Sequence, residues 1–92
     1  MDPQMFIDQL NREGFDEVVT TRLPANEQRA AHAHPFEVKA LVTDGEVTLG
    51  VAGQSTTYRS GDVFTMARGC EHTELYGPLG VGYVVGRKHA KA

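Results

Sequence analysis

The sequence predicts an all-β fold: a small antiparallel barrel preceded by a short helix. Three observations carry the prediction. Short runs of β-branched and aromatic residues recur about every 8 to 12 residues. Glycine-containing dipeptides separate them, and no long helical window interrupts them, which argues against a parallel βαβ sheet.

The elements follow in order. Residues 1–14 read as a helix, with Asp2 at the cap position, Pro3 suited to the first helical turn and Gly14 as the stop. Met5, Phe6 and Leu10 give it a partial apolar stripe. Residues 15–88 then form one barrel domain. Its strand-forming runs are Val18–Thr21, Phe36–Thr43, Val47–Val51, Ser55–Tyr58, Val63–Met66 and Val81–Val85. Asp44-Gly45, Ala52-Gly53, Ser60-Gly61, Arg68-Gly69 and Gly77-Pro78 are turns or bends between them. Residues 89–92 read as a polar, frayed tail, with His89 as solvated surface.

Composition bounds the function. Ninety-two residues, 40% apolar and 23% charged, make one globular domain with a modest core. A net charge of −3 gives no basic patch to attract nucleic acid or an anionic membrane, so neither is expected as a partner. The single cysteine, Cys70, excludes an internal disulfide. Met1-Asp2-Pro3-Gln4 opens no basic-then-apolar leader, and no run approaches the roughly 20 apolar residues of a membrane span. A cytoplasmic, reducing setting is the expectation. An open barrel edge near Val18-Val19 leads us to expect a homodimer.

The chemistry-bearing residues are histidines. His32 and His34 stand two apart, and alternate residues of a strand share a face, so both imidazoles would enter the same space. Imidazole is the commonest nitrogen ligand of transition metals. His72 lies forty residues on, far enough for a later antiparallel strand to return beside the first. After it, Glu74 and Tyr76 fall on the same face as His72. An inward Glu74 must pair with a cation, accept hydrogen bonds or stay protonated. It is a candidate ligand or general base, and Tyr76 a candidate hydroxyl donor to a bound molecule. Tyr58 is a second candidate hydroxyl, Phe64 and Met66 are core or pocket wall, and Arg29 is placed to reach an anion at the mouth.

From Asn26 to Tyr76 the chain resembles the two motifs of the cupins, G-x5-H-x-H-x3or4-E-x6-G and G-x5-P-x-G-x2-H-x3-N. His32, His34 and Gly45 match the first; Gly61, Gly69 and His72 match the second. The resemblance implies a double-stranded β-helix, or jelly roll, with His32, His34 and His72 on a divalent transition metal (zinc, iron, manganese or nickel). It further implies a small-molecule ligand or substrate, and dioxygenase- or isomerase-like chemistry on a small polar organic molecule. A non-catalytic ligand-binding or sensory module is the alternative.

Four positions depart from the motifs. Asn26 replaces glycine, Ala67 proline and Tyr76 asparagine. The fourth is the metal-binding glutamate, whose place falls on Val38, with Glu37 one residue early. One residue reverses the face of a strand. A bend at Pro35 would restore Glu37 as a metal ligand, and it is carried as one. Glu74, Cys70 or water would otherwise complete the site.

Overall fold

A computed structural model describes residues 1–89. Helix α1 (Pro3–Arg12) is followed by β1 (Glu17–Leu23), β2 (Gln28–His32), β3 (Phe36–Val51), β4 (Gln54–Arg59), β5 (Val63–Met66) and β6 (His72–His89). Every pairing is antiparallel.

Two long strands organise the barrel. The C-terminal half of β6 lies between β1 and the first half of β3, whose other side carries β5. The N-terminal half of β6 lies between β2 and the second half of β3, whose other side carries β4. The fold is therefore two four-stranded layers that share β3 and β6, a jelly roll. Asp44-Gly45 and Gly77-Pro78, expected as turns or bends, lie inside continuous strands. At the first of these, β3 changes register with β6 between Val42 and Asp44 and again between Gly45 and Val47. Bulges of this kind turn a strand through a corner without ending it. Gly45 (φ 69°) faces Gly80 (φ 75°) there, and a Cβ on Gly45 would overlap the Gly80 carbonyl.

Strand alternation sorts the apolar residues. Val38, Ala40, Val42, Val47, Leu49, Phe64, Tyr76, Val81, Tyr83 and Val85 point between the layers and form the core. Leu41 and Val84 point outward from the same strands, where Phe6 and Leu10 of α1 cover them together with Phe15. Phe6 and Leu10 are four apart and fully buried, Ile7 packs beside them and Met5 is exposed, so the docking stripe is shifted from the expected Met5, Phe6 and Leu10. Asp2 holds the cap position without a side-chain capping bond.

His89 corrects the expectation of a tail beginning there. It is the last residue of β6, opposite Phe36. Its backbone N–H donates to Asp16 Oδ1 and its Nδ1 lies 2.8 Å from Asp16 Oδ2. The carboxylate caps the strand end that the basic composition of the segment suggested was frayed. Residues 90–92 lie outside the described residues. Among those described, no helix is long and apolar enough to cross a membrane.

Candidate metal centre

His32 ends β2 and His34 lies two residues beyond it, while His72 begins β6 and is the Cα partner of His32. The pair of histidines thus leaves a strand that is running out, rather than lying wholly within it. Asn26, before β2, has φ 61°, a left-handed conformation that explains why the motif favours glycine there and why asparagine serves. The three rings converge, with centroids 5.0 Å apart for His32–His34, 4.4 Å for His32–His72 and 5.3 Å for His34–His72.

Glu74 joins them. One ligand atom from each of His32, His34, His72 and Glu74 lies within 4.8 Å of all the others. Glu74 Oε2 is 3.1 Å from His32 Nε2 and 3.1 Å from His72 Nε2. Its other oxygen, Oε1, accepts a hydrogen bond from the Tyr76 hydroxyl at 2.8 Å. His72 is 2% exposed, and no buried side-chain nitrogen or oxygen among the described residues lacks a partner.

The imidazole tautomers follow from their backbone partners. His32 Nδ1 is 2.7 Å from the Ala30 carbonyl oxygen, and His72 Nδ1 is 3.0 Å from that of Cys70. A carbonyl only accepts, so both Nδ1 atoms carry the proton. Each ring therefore turns its Nε2 towards Glu74 Oε2. With Nε2 unprotonated, Glu74 Oε2 stands 3.1 Å from each of two further acceptors, a repulsion that a cation among them relieves. Ligands bonded at about 2.0–2.2 Å to one ion stand about 3 Å apart at octahedral angles and somewhat more at tetrahedral ones. The donor set and its spacing fit a divalent transition ion. Burial, reinforced by the neighbouring His32 and His72 rings, lowers the pKa of His34 and favours the neutral form a ligand needs.

The other expected site residues sit elsewhere. Glu37 is corrected: it is not among the clustered donors, and it lines a surface groove with Thr65, Met66, Ala67 and Arg68. The bend at Pro35 does not reverse its face, and Val38 points inward as alternation requires. Tyr76 is buried in the core and spends its hydroxyl on Glu74; burial first, and that bond second, raise its pKa, so it remains a donor. It is not among the residues lining the adjacent cavity, which corrects its expected place as a donor to a bound molecule. Cys70 is outside the cluster, with its thiol directed at the Glu71 carbonyl. Tyr58 packs on Phe64 with ring centroids 5.2 Å apart. Arg29 is engaged by Glu27 and lies over the Tyr76 ring at 5.4 Å.

A cavity of about 200 Å³ opens beside the histidines. His34 and Glu74 form one part of its wall, and Phe36, Val38, Leu49, Phe64, Met66 and Val85 much of the rest. Thr21 and Arg87 also line it and went unnoticed in the sequence. The signal for Arg87 was available. Val81, Tyr83 and Val85 alternate inward, and one further step of two reaches Arg87.

Comparisons agree with this fold. Residues 19–74 match the family model described as "Cupin domain". No curated protein matches the chain. Among solved structures, a protein of unknown function from Rhizobium leguminosarum bv. viciae 3841 superposes with a TM-score of 0.74 at 14% identity, over 79% of this chain and 69% of that one. An RmlC-like cupin from Shewanella frigidimarina NCIMB 400 gives 0.65 at 19% identity, over 80% and 67%. KdgF from Halomonas sp. gives 0.65 at 14% identity, over 80% and 69%. At these identities the structural likenesses show the fold. With the family model spanning more than half of the sequence, the chain belongs to the cupin family.

Proposed function

We propose that this cupin holds one divalent transition metal, zinc, iron, manganese or nickel, on His32, His34, His72 and Glu74, and uses it on a small organic molecule in the adjoining cavity. The observation that carries the reading is the convergence of two Nε2 atoms on one carboxylate oxygen, with both Nδ1 atoms held by backbone carbonyls. Glu74 supplies from β6 the carboxylate that the first motif would place at Val38. Bound there, the ion would supply a Lewis acid beside the cavity.

The chain's own residues do the rest. Tyr76 fixes the Glu74 carboxylate, the carbonyls of Ala30 and Cys70 fix two rings, and apolar side chains form most of the cavity wall. Burial raises the pKa of Tyr83, so its hydroxyl keeps its proton and offers a hydrogen bond.

One observation favours a second reading, a binding module without turnover. Both Glu74 oxygens are engaged, and among the described residues no other carboxylate lines the cavity. A reaction that needs a free general base would lack one, so chemistry there rests on the ion.

Elemental analysis of untagged protein, repeated on His34→Ala, tests the reading. We expect near-stoichiometric transition metal that is lost in the variant. Wild-type protein that carries none and cannot be loaded would overturn it.

A further inference from the structure

The cavity also constrains what enters it. Seven of its twelve lining residues are hydrocarbon or thioether, among them Phe36, Val38, Leu49 and Phe64. Its polar groups are few and separated by role. His34 and Glu74 belong to the metal centre. Arg87 rests its guanidinium 5.2 Å from the Phe36 ring and lies 3.5 Å from Glu17. Thr21 and the Tyr83 ring complete the wall.

Size sets a second limit. A cavity of about 150 Å³ lined by aliphatic and aromatic residues holds a benzene ring. At about 200 Å³ this one has room for a single six-membered ring and a short head group, and not for a second ring. Charge sets a third. A bound divalent ion with Glu74 leaves a net positive charge at one end, while the charge of Arg87 is matched by Glu17, so an anionic head is favoured over a cationic one at the metal end. Away from the metal centre and Arg87 the wall offers only the Thr21 and Tyr83 hydroxyls against seven apolar side chains, and a polar atom pressed against those without a partner is disfavoured.

Resting on the metal-centre reading for its head group, we infer that the natural ligand is a mostly apolar, single-ring or similarly compact molecule with one anionic oxygen head, such as a small carbocyclic carboxylate or phenolate. Sugars and polyhydroxylated acids do not match the wall. This narrows the small polar molecule expected from the sequence to one that is polar at a single end.

Two probes of one shape test it. Cyclohexanecarboxylate and tetrahydropyran-4-carboxylate share the head group and differ by one ring oxygen in place of a methylene. Each is titrated calorimetrically into zinc-loaded and metal-free wild-type protein, with the methionine methyl groups carbon-13 labelled for NMR. Met66 lines the cavity, whereas Met1 and Met5 are exposed on the helix segment, so the site of binding is read directly. We expect the carbocycle to bind at least tenfold more tightly than the ether, and to shift the Met66 methyl alone. The same preference seen equally with and without zinc supports the inference and counts against the metal centre as the anchor. Equal affinities, a preference for the ether, no binding of either probe, or shifts confined to Met1 and Met5 would overturn it.

Discussion

Replacing Tyr76 with phenylalanine isolates what positions the metal-binding carboxylate. The change removes one oxygen and keeps the ring that packs in the core beside Val47, Val81 and Tyr83. Glu74 loses the hydrogen bond at Oε1, while Oε2 keeps its place between His32 and His72. A hydrogen bond to a charged group contributes about 1.5–3 kcal/mol. Loss of a group that orients a metal ligand typically costs about 10–100-fold in affinity, equivalent to about 1.4–2.7 kcal/mol. The two scales agree, and the bond is made inside the protein with Glu74 only 14% exposed, so water replaces it poorly. Zinc affinity measured by competition with a chromophoric chelator should therefore fall by at least tenfold in Tyr76→Phe. Because no cavity is opened, denaturant stability of the metal-free protein should fall by no more than the bond itself contributes, about 1.5–3 kcal/mol. An unchanged zinc affinity would refute the positioning argument, and a collapse of the metal-free fold would refute the claim that the hydroxyl acts through Glu74.

Three further outcomes follow from other parts of the structure. Glu37→Gln should leave zinc affinity within about twofold, since Glu37 lies outside the clustered donors, whereas Glu74→Ala should reduce it at least tenfold in the same chelator assay. Gly45→Ala should cost about 2–5 kcal/mol in urea unfolding, because it combines a left-handed φ with overlap on the Gly80 carbonyl at the corner of β3; a stable variant would show that the corner can relax. Hydrogen bonds from His89 hold the pKa of Asp16 below its ordinary 3.8, so the stability it contributes is present above that value and is lost as the pH falls through the folded-state value. Asp16→Asn should accordingly flatten the fall in melting temperature between about pH 4.5 and 2.5, and identical acid profiles would contradict the strand-end pairing.

The parts that were legible in the sequence depend on periodicity and spacing. Alternation places Val38, Ala40 and Val42 inside and Leu41 outside whatever the details of the sheet, and the interval from Gly61 to His72 carries the return of the chain to His32. The corners were harder to read. Asp44-Gly45 looks like a hairpin turn, and only the register shift against β6 makes it a bend within one strand. Glu37 was misplaced because Pro35 could bend the chain in more than one direction, and local sequence does not choose between them. Glu74 was visible as sharing the face of His72, but its distance to His32 depends on the bulged pairing of β2 with β6, a long-range feature. His89 was read as tail because its partner, Asp16, is far away in sequence. The apolar character of the cavity escaped notice because its wall is assembled from β1, β3, β5, β6 and the segment carrying His34.

The central claim concerns which atoms meet at one metal ion, and X-ray absorption at the zinc edge of the loaded protein measures that most directly. The account predicts three imidazole nitrogens at about 2.0–2.1 Å and an additional oxygen at about 2.0–2.2 Å, with the oxygen shell altered in Glu74→Ala. Fewer than three imidazoles, or a sulfur shell at about 2.3 Å that would bring in Cys70, would contradict it.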